Sequence, residues 1–464
     1  MIPRIVIAAP ASGHGKTTVA TGLIAAFARA GLSIAPFKVG PDYIDPGYHA
    51  LAAGKPGRNL DPFLVGEERV RDLFAHGSRG ADLAVVEGVM GLYDGAVGRA
   101  EFASTAHVAH LIDAPVILVV DATAQGRSVA ALVHGFRSFD PALRIAGVIL
   151  NRVGSDRHRA ILSEALEEIG VSVLGSLHRS DAVAAPSRHL GLVPVAERAP
   201  ESVASVDALA ELVKASIDLA AVERIAREAA ALPEREWSPR QAVAELADER
   251  GNEAAAAAPV VAIASGAAFT FSYAEHAELL AAAGAQVVPF DPLHDEKLPD
   301  EARALVIGGG FPEIYTPELS ANVALRSAVR ELAESGGVIA AECAGLLYLA
   351  ESLDGAPMCG LVPAAAAMTK QLTLGYREAV APAGNVLCDA GTRVAGHEFH
   401  RTKLDAGAGD GTPAWLWASD RVTGEKVAEG YVHGRVHASY LHLHWAGTPS
   451  IATRIVREAA TWIP

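Results

Sequence analysis

Ala9-Pro10-Ala11-Ser12-Gly13-His14-Gly15-Lys16-Thr17-Thr18 stands between an apolar, β-branched run, Arg4–Ala9, and a helical pattern, Lys16–Ala30. A turn of this composition between strand and helix binds phosphate. Its backbone N–H groups and the helix N-terminus point at anionic oxygens. Gly15, Lys16 and Thr17 match the usual Gly-Lys-Ser/Thr ending, while Pro10 occupies the position of the first glycine. Gly13 and Gly15 allow close backbone approach. His14 and Thr18 complete the cradle, Lys16 reaches the outer phosphates, and Thr17 offers a hydroxyl to Mg²⁺.

Further apolar runs follow at Ile34–Val39, Leu83–Glu87, Val116–Asp121, Arg144–Leu150 and Val171–Leu174, with helical patterns such as Ser128–Ser138 and Asp156–Ile169 between them. Runs apolar on both faces and alternating with helices predict a parallel sheet covered on both sides. Ligands of such sheets bind beyond the strand C-termini, which directs attention to the acidic residues at two strand ends. Lys38-Val39-Gly40-Pro41-Asp42-Tyr43-Ile44-Asp45-Pro46 ends one strand, and Glu87-Gly88-Val89-Met90-Gly91-Leu92-Tyr93-Asp94-Gly95 ends another. Glu87, flanked by apolar residues, needs a partner, and Mg²⁺ is an economical one. Asp42 is a second metal candidate. Asp45 and Asp94 are further acidic candidates at these strand ends, and Tyr43 lies between Asp42 and Asp45. The glycine-rich stretch from Gly88 to Glu101 reads as a mobile cover.

Residues 207–231 read as one or two closing helices. Residues 232–258 mix prolines, charges and an alanine run without a sheet-like pattern, so they read as a linker between domains at 1–231 and 259–464. A second alternating unit begins at Val260–Ala264, and after Leu353 short segments broken by Gly and Pro predict antiparallel strands. Within this unit, strand Val338–Ala341 runs through Glu342-Cys343-Ala344-Gly345 into the helical Leu346-Leu347-Tyr348-Leu349. A thiol on a tight strand-to-helix turn is exposed above the sheet, beside N–H groups able to hold an oxyanion. Ala344, with Gly309 and Gly310 from Gly308-Gly309-Gly310-Phe311-Pro312-Glu313, are the expected donors. A base is required. His442, in Ser439-Tyr440-Leu441-His442-Leu443-His444, is available, as are His433 and His437. Cys359 and Cys388 lack such a turn and read as core. His397-Glu398-Phe399-His400 lies in a strand-like segment, where i and i+3 face opposite sides, so it does not read as a metal site.

Composition excludes other classes. The 464 residues are 50% hydrophobic and 20% charged, with 39 Lys and Arg against 54 Asp and Glu, a net charge of −15. Nucleic-acid binders carry a basic footprint instead. Three scattered cysteines make no disulfide framework. Residues 254–274 are uncharged, but Pro, Ser, Thr and Gly interrupt them, so they are not a membrane span. The N-terminus shows no signal-peptide pattern. The expectation is a cytoplasmic enzyme.

Together, residues 10–18, 38–46, 87–95, 396–400 and 439–444 resemble the cobyrinic or hydrogenobyrinic acid a,c-diamide synthase family over nearly the whole chain. The resemblance implies an α/β protein: a P-loop domain like dethiobiotin synthetase, followed by a flavodoxin-like class I glutamine amidotransferase domain. It implies ATP and glutamine as substrates, Mg²⁺ as cofactor and a corrinoid polycarboxylate amidated on its a and c acetates in cobalamin biosynthesis, and it allows a homodimer. Cys343 would take the nucleophile's place and His442 the base's, with His444 where most class I triads carry Glu. Asn151 would read the adenine. Asp42, Asp45, Glu87 and Asp94 fall at positions linked to Mg-ATP and the reacting carboxylate, with their division of labour open. Arg377, His397, His400, Arg401 and Lys403 could hold substrate carboxylates. A nickel-sirohydrochlorin a,c-diamide synthase or a cobyric acid synthase-like amidase shares most of these motifs. A P-loop switch ATPase would instead carry a second lysine in the phosphate loop and no cysteine elbow.

Overall fold

A computed structural model describes residues 2–179, 187–188, 191–192, 195, 199–232, 237–250, 258–406, 411–418 and 424–462. The chain divides into two compact units, Met1–Trp237 and Ser238–Pro464. The stretch read as a linker is not all irregular: Pro239–Arg250 is helical and belongs to the second unit, while 233–236 and 251–257 lie outside the described residues.

In the first unit, β1 (Arg4–Ala8), β2 (Ile34–Val39), β3 (Arg58–Leu60), β4 (Leu83–Glu87), β5 (Val116–Asp121), β6 (Ile145–Val153) and β7 (Val173–His178) form one sheet in the order β3-β2-β4-β1-β5-β6-β7. Every pairing in it is parallel. All residues of β1, β2 and β4 are buried, which explains why they read as continuous apolar runs and not as alternating ones. The chain leaves β1 toward β2 on one side and later returns to β5 on the other. The C-terminal edge of β1 is therefore the switch point of the sheet. Helix α1 (Lys16–Arg29) packs Val19, Leu23, Ile24 and Phe27 into the core beneath it. The short helix α2 (Asp45–Ala53) and strand β3 escaped the sequence pattern, because Pro46, Gly47 and Pro56 break periodicity there. At the end of the unit the closing helices are two, Ala199–Ser216 and Leu219–Arg227.

The second unit is built on a six-stranded sheet ordered Gln286–Phe290, Val260–Ala264, Ala302–Ile307, Val338–Glu342, Val436–Ser439, Tyr431–His433. It is parallel except for its last pair. Two helices, Thr316–Ala321 and Val323–Glu334, follow one another here, the Asn322 side chain capping the second. The expected antiparallel segments are real. A long hairpin pairs Val362–Val380 with Arg393–Ala406, and His442–Leu443 adds to its edge.

Candidate active sites

The phosphate loop is held open by two glycines in left-handed conformations, Gly13 at φ 80° and Gly15 at φ 96°. Gly15 is required twice over, since a Cβ there would lie 2.2 Å from the Asn151 side-chain nitrogen. Asn151, expected at the adenine, braces the loop instead. Its Nδ2 donates to the His14 carbonyl at 2.8 Å and its Oδ1 accepts the Arg152 N–H at 2.9 Å. His14 points away from the loop's mouth, its Nδ1 accepting the Asp121 N–H at 3.0 Å. Thr18 is half-buried in the first helical turn.

The stretch after β4 is laced to this loop rather than free of it. Gly88 N–H donates to the Ile7 carbonyl and Leu92 N–H to the Ala9 carbonyl, both at 2.9 Å. The Asp94 carboxylate accepts the Gly91 N–H at 2.8 Å, and the Lys16 ammonium donates to the Met90 carbonyl. Met90 holds a left-handed φ of 46°, a strained value for a side-chain-bearing residue. Residues 88–94 are therefore a wall, not the mobile cover expected. Burial lowers Lys16 to about 8, opposed by Glu87, Asp45 and Asp94.

Behind the loop, four charged groups meet. Thr17 Oγ1 donates to Glu87 Oε1 at 2.6 Å and lies 3.2 Å from Asp45 Oδ2. Lys38 Nζ reaches the same two oxygens, at 2.9 and 2.6 Å, and the Gly88 carbonyl at 3.2 Å. The other oxygen of Glu87 is 2.7 Å from His49 Nε2, both side chains fully buried. Burial pushes Glu87 upward, but Lys38, His49 and Thr17 outweigh it and hold Glu87 well below the usual carboxylate range. Burial and the charge of Asp42 push Asp45 up to about 7. Asp42, the expected metal ligand, is engaged by the backbone: its Oδ1 accepts the Ile44 and Asp45 N–H groups at 2.8 and 3.0 Å and so starts α2. Asp45 takes its place beside Thr17. Tyr43 is buried next to it. Three oxygens of Thr17, Asp45 and Glu87 converging on one point suit a hard cation such as Mg²⁺. Lys38 and His49 had no assigned role in the sequence. Lys38 was visible as a lone cation inside a buried strand, whereas nothing marked His49 before α2 was known.

In the second unit Cys343 has φ 50° and ψ −100°, the strained turn expected of an elbow, directly before helix Ala344–Leu349. Its N–H donates to the Ser439 carbonyl at 2.7 Å, and the Ala344 N–H points at its sulfur. The thiol is 3% exposed, and burial together with Glu313 pushes it far above the usual range. Gly345 packs its N–H on the Gly308 carbonyl at 3.0 Å, so the elbow helix rests on the Gly308–Gly310 turn. His442 borders the same turn, since a Cβ on Gly309 would lie 2.4 Å from its Cε1. Gly309 is thus needed for space. Its N–H donates to the Phe271 carbonyl at 3.1 Å, so it is not the oxyanion donor expected, which leaves Ala344 and Gly310.

Burial, with His397 and His400, lowers His442 to about 3. His433 is exposed on the sheet edge, and His437 packs against Trp415 at 5.5 Å and lines the same small cavity as Gly308. His444 stacks on Tyr273 at 4.2 Å, and its Nε2 lies 3.7 Å from the buried Glu275 carboxylate. Of the expected carboxylate-binding group, Arg377, His397 and His400 gather around the Glu398 carboxylate. Arg377 pairs with Glu398 at 2.6 Å, His400 stacks on Tyr440 at 3.8 Å, His397 is buried opposite His442, and Arg401 donates to the Lys370 carbonyl at 2.8 Å. Lys403 alone is exposed.

Both halves match known families. Residues 5–193 match the CobQ/CobB/MinD/ParA nucleotide binding domain, and residues 260–450 the CobB/CobQ-like glutamine amidotransferase domain. Among curated proteins the chain is 58% identical to the hydrogenobyrinate a,c-diamide synthase of Streptomyces coelicolor, covering 99% of this chain and 98% of that one. It is 54% identical to the protein of that name from Mycobacterium bovis, over 100% and 99%. To the cobyrinate a,c-diamide synthase of Gloeobacter violaceus it is 44% identical, over 98% and 96%. The chain belongs to the a,c-diamide synthase family. Its class is therefore that of a glutamine-dependent amidating ligase, which uses ATP and glutamine. This disfavours the P-loop switch ATPase. Among the described residues no helix is long and apolar enough to cross a membrane.

Proposed function

We propose that the chain amidates the a and c acetates of hydrogenobyrinic acid, the cobalt-free corrinoid, at the cost of two ATP and two glutamine. The lean to the cobalt-free ring follows the relatives, since those at 52–58% identity carry the hydrogenobyrinate name and those at 41–44% the cobyrinate name.

In the second unit, Cys343 Sγ attacks the glutamine side-chain carbonyl. His442 takes the thiol proton and gives it to the departing ammonia, leaving a glutamyl thioester that water hydrolyses to glutamate. N–H groups of Ala344 and Gly310 face the developing oxyanion. Burial keeps both the thiol and the imidazole neutral before substrate enters, so the proton moves as the sulfur attacks. His444, fixed by Glu275 and Tyr273, orients the segment that carries His442.

In the first unit, the substrate carboxylate attacks the γ-phosphorus of ATP, ADP leaves, and ammonia then displaces phosphate from the acyl phosphate. Thr17, Asp45 and Glu87 would hold Mg²⁺, which when bound offsets phosphate charge. Lys16 and Lys38 supply the positive charge on the protein side, and His49 holds Glu87 in register.

The observation that carries the reading is one chain holding both a strained cysteine elbow, resting on the glycine turn that His442 borders, and a phosphate loop backed by Thr17, Asp45, Glu87 and Lys38. The test is to supply purified protein with ATP, Mg²⁺, glutamine and hydrogenobyrinic acid and weigh the product. Two carboxyl-to-amide conversions are expected, and ATP turnover with no change in corrinoid mass sinks the reading. Cobyrinic acid in a parallel reaction tests the lean on cobalt.

A further inference from the structure

We propose that the Lys38 ammonium is a built-in counter-ion at the metal position of the first unit, so that divalent metal enters only together with nucleotide, whose phosphates receive Lys38 as it leaves. The proposal rests on the reading of Thr17, Asp45 and Glu87 as the groups that hold Mg²⁺.

The geometry is one of direct competition. Lys38 Nζ contacts Asp45 Oδ2 at 2.6 Å and Glu87 Oε1 at 2.9 Å, and Thr17 Oγ1 contacts those same two atoms at 3.2 and 2.6 Å. A magnesium ion on these oxygens would sit at about 2.0–2.1 Å from each, against the ammonium it would have to displace. Solvent does not soften the conflict, since Lys38 is 3% exposed and Glu87 0%. A dication and an ammonium sharing two buried oxygens repel strongly in so dry a setting.

The protein also offers the metal too little to win that competition unaided. Among the described residues no group of three or more His, Cys, Asp or Glu stands ready for a metal ion. Two carboxylate oxygens and a hydroxyl are half of the six ligands magnesium takes, and its usual remaining partners are water and substrate phosphates. Nucleotide changes both sides of the balance. Its phosphate oxygens complete the metal's shell, and its negative charge gives Lys38 a new partner. The displacement is short and needs no backbone shift. Lys38 stands in register with Glu87 across β2 and β4, and its ammonium turns on a flexible four-carbon stem. The neighbouring cation, Lys16, donates to the Ala11 and Met90 carbonyls rather than to the two carboxylates, so of the two lysines only Lys38 guards them.

The test uses Mn²⁺ as an electron-paramagnetic probe for Mg²⁺ on the full chain. Wild-type protein without nucleotide is expected to take up Mn²⁺ at this site weakly, and Lys38→Met to take up one ion per chain roughly ten-fold or more tightly. The added Glu87→Gln exchange removes that gain, and Lys38→Arg, which keeps the charge, stays weak. Tight Glu87-dependent uptake by wild-type protein without nucleotide overturns the proposal while leaving the metal site itself standing. Failure of wild-type protein to bind Mn²⁺ in a Glu87-dependent way with a non-hydrolysable ATP analogue overturns the metal site and the proposal with it. The wild-type chain carries a second test that requires no variant to fold. In isotope-labelled lysine NMR the Lys38 ammonium resonance should move with Mg²⁺ plus the analogue and not with Mg²⁺ alone. Movement with Mg²⁺ alone overturns the proposal.

Discussion

At the residue scale, a glycine and a thiol carry the most testable chemistry. Gly309→Ala places a methyl 2.4 Å from His442 Cε1 and 3.1 Å from Phe271 Cβ, so the imidazole must move. A displacement of about an ångström in a catalytic group costs on the order of 10²-fold. Glutamine-driven amidation by this variant should fall by about that factor while ammonia-driven amidation is retained, the same pattern expected for Cys343→Ala. Equal loss with both nitrogen donors would mean that the damage is to folding or to the phosphate-loop site. The thiol makes a separate prediction. Burial raises Cys343 and lowers His442 to about 3, which disfavours a thiolate–imidazolium pair near neutrality. Alkylation of Cys343 by iodoacetamide, followed by peptide mass spectrometry, should be slow at pH 7 and keep rising toward pH 10 without an early plateau. Rapid alkylation that levels off near pH 6 would show a preformed ion pair, and with it a different first step.

At the scale of elements, the C-terminal edge of the first sheet works because separate strands brace one another. Asn151, at the end of β6, fixes the His14 carbonyl of the loop that follows β1. Removing one partner of a buried hydrogen bond costs about 1–3 kcal/mol. Asn151→Ala should accordingly raise the KM for ATP roughly ten-fold or more and leave the KM for glutamine unchanged, read from initial rates with each substrate varied. A shift in the glutamine constant alone would remove Asn151 from the loop's support. These elements also show what the residues alone could and could not reveal. The phosphate loop, the elbow and the acidic strand ends were legible because each depends on local chemistry: glycines at a turn, a nucleophile before a helix, a carboxylate after an apolar run. The brace by Asn151, the pairing of His49 with Glu87 and the choice of Asp45 over Asp42 depend on which strands become neighbours. Asp42 in particular carried the sequence signal of a ligand, but α2 was hidden by Pro46 and Gly47, and with it the N–H groups that Asp42 accepts. Gly309 misled for a similar reason, since its N–H is taken by Phe271 from a segment far away in sequence.

At the scale of the whole molecule, the net charge of −15 and the two units make different demands on pH. Among the described buried histidines of the second unit, four are pushed toward the neutral ring: His276 and His397, with His397 lowered to about 4, and His437 and His442, lowered to about 3. Burial is the leading cause in each. Unfolded, they would titrate near 6.5. Their stabilising effect is therefore complete above that value and is lost as pH falls toward 4. Two carboxyls oppose them. Burial raises Glu342 to about 8 and Glu429 to about 7, so each keeps its proton in the folded unit and releases it on unfolding above about pH 4.5. Between about pH 4.5 and 6.5, four protons gained by histidines less two lost by glutamates leave a net uptake of about two on unfolding. That corresponds to roughly 2–3 kcal/mol of lost stability per pH unit at most. For a unit of this size the melting temperature should fall by about 5–10 °C between pH 6.5 and 5.5. Calorimetry across that range, with buffers of low ionisation heat, reads both the drop and the proton uptake. His437→Phe, which keeps a ring packed on Trp415, should shallow the dependence by about one proton. A melting temperature that holds steady or rises on acidification would show that these rings find protons, or partners, without unfolding.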